Sequence, residues 1–195
     1  MGNEGGKPSG NLGTSAVASV CTVQEAHLMM FFKKFRKGAA EVITREDVSS
    51  VTADFTDVEA IDLELLDKVF TMYDVTGDGN VNYKDYLAAL SILTTGSAKE
   101  KLHLAMKLFD SKRTGTITRT ELRRLLMSIN NVASYFGDPV VKDSEIGSMV
   151  SDIFRMQASS ASSIKYEDFF DAIYDHVTCH IFLSGRGTQK FGTKQ

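Results

Sequence analysis

Proline and cysteine are scarce in this chain, with two residues of each among 195. Pro8 and Pro139 leave almost nothing between them that forbids helix. Cys21 and Cys179 lie near opposite ends of the expected fold, too few and too far apart for a disulfide framework, and are read as reduced thiols. Positive charge is not in excess either: the formal net charge is -3, which argues against a dedicated nucleic-acid binder. No apolar run approaches the roughly 18 residues of a membrane span, and the N-terminus lacks the apolar core of a secretory signal. G-x-S-x-G, Walker, H-E-x-x-H and kinase signatures are missing, so no enzyme and no catalytic residues are expected. What remains is an ordinary globular composition, 43% hydrophobic and 24% charged. It predicts a cytoplasmic, mostly helical protein.

Along the chain, residues 1–20 are rich in glycine and serine and read as a flexible leader. A helical stripe begins near Thr22 and carries Val23, His27, Met30, Phe31 and Phe35. Thr44 with Asp47 forms a capping-box pattern for a second, short helix. Leu63, Leu66, Phe70 and Tyr73 mark a third, and Tyr83, Tyr86, Leu87 and Leu90 a fourth. The break "TTGS" at 94–97 separates two halves, 21–95 and 98–178. In the second half, "NNVASYFGDPVVKD" reads as a polar interruption between the Leu122–Ile129 stripe and the one starting at Ile146. Residues 179–195 read as a glycine-bearing, basic tail, although Ile181, Phe182 and Leu183 are expected to pack back onto the second half.

The stripes repeat one unit of helix, loop of about twelve residues, and helix. "VITREDVS", "NVNYKDYL", "TITRTELR" and "SIKYEDFF" align, each with a β-branched residue (Ile43, Val81, Ile117, Ile164) and an acid four positions later. Four units make two pairs. The predicted architecture is all-α, two lobes, each a pair of helix–loop–helix units whose loops join through a short β-bridge.

One loop, "DVTGDGNVNYKD" at 74–85, gathers oxygen-bearing side chains. A calcium ion takes about six to eight oxygens from a flexible loop, supplied at positions one, three, five, seven, nine and twelve, with glycine at six for the turn. Those positions hold Asp74, Thr76, Asp78, the Asn80 carbonyl, Asn82 through water, and Asp85, with Gly79 at the turn. Asp85 stands where glutamate is usual and is one methylene shorter, and Thr76 is neutral. Both departures predict weak calcium binding, roughly 10⁻⁵ M or weaker, and a site that also suits six-coordinate magnesium. The remaining loops lack the ligand set. Loop 110–121 places Lys112 at position three, where an ammonium repels a cation. Loop 157–168 begins with Gln157 and loop 36–47 with Arg36. Four structural units therefore carry one metal site.

These motifs resemble the EF-hand superfamily, and in particular four-hand proteins of the neuronal calcium sensor, calcineurin B and calaxin type. Besides the loop, "KLHLAMKLFD" is similar to the "KLxxAFxxFD"-like helix that begins the third hand in that group, and "MGNE" to the start of calcineurin B. The resemblance covers residues 22–178 and implies a calcium-responsive regulatory or adaptor subunit that grips an amphipathic helix of a protein target. For the calaxin branch it also implies a motile cilium and dynein regulation. The competing expectation is a structural subunit docked in a larger assembly, such as an axonemal complex, whose ion only stiffens a loop. Membrane association would require N-myristoylation at Gly2, and Gly6 stands where that pattern wants serine or threonine.

Overall fold

The computed structural model describes residues 13–38, 41–110, 112–157 and 161–183. Gly2, Gly6 and tail residues 184–195 lie outside the described residues. In chain order the elements are α1 (Thr14–Val20), α2 (Glu25–Phe35), β1 (Val42–Ile43), α3 (Arg45–Thr52), α4 (Ala60–Tyr73), β2 (Val81–Asn82) and α5 (Tyr83–Ser91). The second half follows with α6 (Ala98–Phe109), β3 (Thr116–Thr118), α7 (Arg119–Tyr135), α8 (Asp143–Gln157), β4 (Ser163–Lys165), α9 (Tyr166–Tyr174) and α10 (Val177–Leu183). The fold is all-α, built from paired helix–loop–helix units.

The aligned β-branched residues meet one another. Ile43 pairs with Val81 in the antiparallel β1–β2 bridge, and Ile117 with Ile164 in β3–β4. All four side chains are buried, so each bridge joins two loops by backbone hydrogen bonds and one apolar contact. Helix starts follow the capping rule. The Thr44 amide donates to Asp47 Oδ2 at 2.9 Å while the Thr44 hydroxyl accepts from the Asp47 amide. Ser97 with Glu100 and Thr118 with Glu121 repeat this box at α6 and α7.

Helix α5 is the hinge of the packing. Tyr86, Leu87, Ala88, Ala89 and Leu90 are all buried, because α5 lies against α2 and α4 on one side and α6 and α7 on the other. Burial of such side chains contributes roughly 1.5–3 kcal/mol each for the larger ones. Phe31, Phe32 and Phe35 of α2 join this core, Met29 is half-buried and Met30 exposed. Leu63, expected on the inner face of α4, is instead 42% exposed.

Three segments differ from the sequence expectation. The polar run after Ile129 does not interrupt helix; α7 continues to Tyr135. Its buried Asn130 explains why a polar residue is tolerated there: Nδ2 donates to the Val141 carbonyl at 3.1 Å and Oδ1 accepts from the Val141 amide at 3.0 Å, pinning the returning loop. Residues 14–20, read as part of a leader, form α1, whose Thr14 amide donates to Asp138 Oδ2 at 2.9 Å. Residues 179–183, read as part of a tail, belong to α10. Phe182 and Leu183 pack onto the second half as expected and Cys179 is buried with them, whereas Ile181, expected to pack there too, is exposed. The two cysteines are free and buried, and burial pushes the Cys21 thiol up to about 11.

Asp62 ties the α1–α2 connection to α4. It is buried, and burial alone would raise its pKa. Hydrogen bonds from the Thr22 hydroxyl, the Thr22 amide (3.2 Å) and the Glu59 amide (3.2 Å) outweigh that effect and hold the carboxyl below its ordinary value. A carboxylate depressed in the folded state stabilises the fold above its unfolded pKa, near 3.9, and that contribution is lost as pH falls through the folded pKa. Urea melts from about pH 6 to about pH 3 should therefore show less acid sensitivity for Asp62→Asn than for the parent chain. Equal acid sensitivity would mean that Asp62 contributes nothing to the pH dependence.

Candidate metal centre

Helix α4 delivers Asp74 at its C-cap, with φ -80° and ψ 65°, where the helical ladder ends and the chain turns away. The turn needs two left-handed residues, Gly77 (φ +69°) and Gly79 (φ +77°). A Cβ at either would meet nothing within 4 Å, so the demand for glycine there is one of backbone conformation and not of space. Gly79 then donates its amide to Asp74 Oδ2 at 3.1 Å and closes the loop on itself. The other oxygen, Asp74 Oδ1, is buried and has no hydrogen-bond partner. A buried carboxylate oxygen without a donor is unfavourable unless a cation supplies the missing charge. The first position thus fits a metal ion.

The third loop has the same closure and a different outcome. Asp110 Oδ2 accepts from the Gly115 amide at 2.7 Å, as Asp74 does from Gly79. Asp110 Oδ1, however, accepts from the Thr114 amide (3.1 Å) and is also within reach of the Thr114 hydroxyl (3.3 Å). Thr114 occupies position five, where the second loop has Asp78, whose side chain has no hydrogen to donate. Asp78 Oδ1 instead accepts from the Asn80 amide at 2.9 Å. One loop satisfies its leading carboxylate internally; the other leaves an oxygen open.

The remaining expected ligands divide. Thr76, Asp78 and Asn80 are exposed on the loop. Asn82 caps α5, its Oδ1 accepting from the Lys84 amide at 3.0 Å, and its Nδ2 donates to Glu41 Oε2 at 3.3 Å. Lys84 Nζ donates to Glu41 Oε1 at 2.6 Å, and this contact holds the Glu41 carboxyl below its ordinary pKa. Asp85, the twelfth residue, faces α7. Arg124 donates to its Oδ2 from Nε (2.9 Å) and from Nη2 (2.5 Å), and the Ser128 hydroxyl donates to its Oδ1 at 3.3 Å. Accordingly, among the described residues no three His, Cys, Asp or Glu side chains gather closely enough to hold an ion. Nor does any described helix have the length and apolar character to cross a membrane.

Sequence reasoning found the loop residues but missed Arg124 and Ser128. Neither belongs to a ligand pattern, and nothing near them in the chain connects them to a loop 39 or more residues away.

No family model matches the chain. Curated relatives do. It is 28% identical over 110 residues to "Calcium-binding protein NCSA" of Dictyostelium discoideum, covering 56% of this chain and 58% of that protein. It is 25% identical over 153 residues to "Guanylyl cyclase inhibitory protein" of Lithobates pipiens, covering 77% and 74%. Identity is 22% over 161 residues with the type 2 calcineurin B protein of Dictyostelium discoideum, covering 80% and 81%. The chain is similar to EF-hand calcium-binding proteins in sequence and in fold. Its relatives of this type are calcium-binding and regulatory proteins, and the chain spans a little over half, 58%, of the Dictyostelium calcium-binding protein.

Proposed function

We propose that this protein is a calcium-responsive regulatory or adaptor subunit with one competent metal site, loop 74–85. The observation that carries the reading is the buried, unpartnered Oδ1 of Asp74, set against the internally satisfied Asp110 in the third loop. Asp74, Thr76, Asp78, the Asn80 carbonyl and Asp85 would hold the ion, and a bound divalent cation would supply the partner that Asp74 Oδ1 lacks. The neutral Thr76 and short Asp85 favour affinity of roughly 10⁻⁵ M or weaker and leave room for magnesium. A protein target fits the names of the relatives, and its engagement through an amphipathic helix fits the paired-hand architecture.

Calorimetry on the full chain should show one calcium per molecule. Residual dipolar couplings for α4 and α5, with calcium and with chelator, then separate sensor from structural subunit. Sensor hands open from about 130–140° to about 90–100° on binding, whereas structural or buffering hands barely move. An angle that stays constant with the ion bound would favour the structural subunit, for example one docked in a ciliary assembly. Absence of any calcium or magnesium heat would overturn the metal reading itself.

A further inference from the structure

One turn of α7 grips both ends of loop 74–85. At its start, Tyr73 Oη donates to the Ser128 carbonyl at 2.6 Å. At its end, Asp85 takes two hydrogens from Arg124 on Oδ2 and one from Ser128 on Oδ1. The Ser128 hydroxyl also lies 3.0 Å from the Arg124 carbonyl, and its single hydrogen serves one of these two acceptors at a time. The Asp85 side chain is 15% exposed and that of Arg124 42%, which places the pair at the edge of the interface between α5 and α7. Burial, and then the nearby Asp85 carboxylate, push the Tyr73 hydroxyl far above its ordinary pKa, so it keeps the hydrogen that it donates to Ser128.

Asp85 Oδ2 is thus occupied by Arg124, while Oδ1 has at most the shared Ser128 hydrogen. In two of the other hands the acid at the same position works locally, since Asp47 and Glu121 fold back to cap their own helices. Asn82 caps α5 by itself, which frees Asp85 to reach across to the third hand. To ligate an ion in its own loop with both oxygens, Asp85 must release Arg124 from Oδ2.

Resting on the metal reading above, we infer that Arg124 is a built-in competitor for the twelfth ligand, setting the affinity of loop 74–85 and coupling its occupancy to α7. Guanidinium and divalent cation are alternative partners of one carboxylate. Whatever Arg124 takes from cation affinity, occupancy takes back from the α5–α7 contact, because coupling is reciprocal. Arg124 at the loop's end, with the Tyr73–Ser128 hydrogen bond at its start, links the loop to the second lobe.

The test uses the full chain and calcium alone. Arg124→Ala should tighten calcium binding about threefold to tenfold, the range expected for losing a partly screened bidentate ion pair. Arg123→Ala is the control: it removes the same charge from the same helix, but Arg123 pairs with Asp143 and does not touch Asp85. It should leave the affinity unchanged. In the parent chain the Arg124 Nε–H resonance, held by Asp85 in chelator, should shift or broaden on calcium addition. Unchanged or weaker binding in Arg124→Ala overturns the inference, as does equal tightening in both variants, which would be a general charge effect. An Arg124 resonance indifferent to bound calcium overturns it too. If the parent chain binds no calcium, the metal reading falls first, and that outcome is distinct from the others.

Discussion

Replacing Asp74 with alanine is expected to abolish calcium binding while leaving the fold intact. Asp74 does two things. Its Oδ2 closes the loop through the Gly79 amide, and its Oδ1 lies buried with no donor. Alanine removes the hydrogen bond, a loss of about 0.5–1.5 kcal/mol. It also removes an unsatisfied buried oxygen, which offsets part of that cost. Unfolding measured in chelator should therefore change by no more than about 1 kcal/mol. The calorimetric signal for calcium should vanish, since no other residue in the loop occupies the first position. A variant that still takes up one ion with comparable affinity would place the site elsewhere. Loss of binding together with a collapsed fold in chelator would mean that Asp74 is structural, and the metal reading would lose its main support.

The second large effect is expected at Phe182. Helix α10 lies against α7, α8 and α9, and Phe182 is fully buried there, beside Cys179, whose sulfur is 3.8 Å from that of Met149. Truncating a buried phenylalanine costs about 3–5 kcal/mol through lost transfer energy and the cavity left behind. Phe182→Ala should lower the urea midpoint of the second lobe accordingly, whereas Ile181→Ala, at an exposed position one residue away, should cost under about 1 kcal/mol. Comparable losses at the two positions would contradict the packing of α10. A large loss at Phe182 alone means that this segment completes the core and is not available as a detachable tail. Any target would then meet a C-terminal lobe whose apolar face is covered in part by its own chain.

What was legible in the sequence depended on short range. The glycine that the turn of loop 74–85 requires, the Thr44–Asp47 cap and the pairing of Ile43 with Val81 and Ile117 with Ile164 follow from rules that operate within one turn or one repeat. Backbone geometry enforces them: helix caps span three residues, a coordinating loop spans twelve, and paired repeats bring equivalent positions together. The partner of Asp85, the exposure of Ile181, the tie between Thr14 and Asp138 and the exposure of Leu63 were not legible in that way. Each depends on the angle at which whole helices pack, α5 on α6 and α7, α10 on α7 and α8. A helical stripe says which residues can share a face, but it does not say which face of another helix will meet it. Sequence spacing alone singled out loop 74–85 as the oxygen-rich loop of the four. Only the packing of α7 against α5 decided that its twelfth residue, Asp85, is held by an arginine from the other lobe, because a carboxylate takes the nearest cation that the tertiary structure presents.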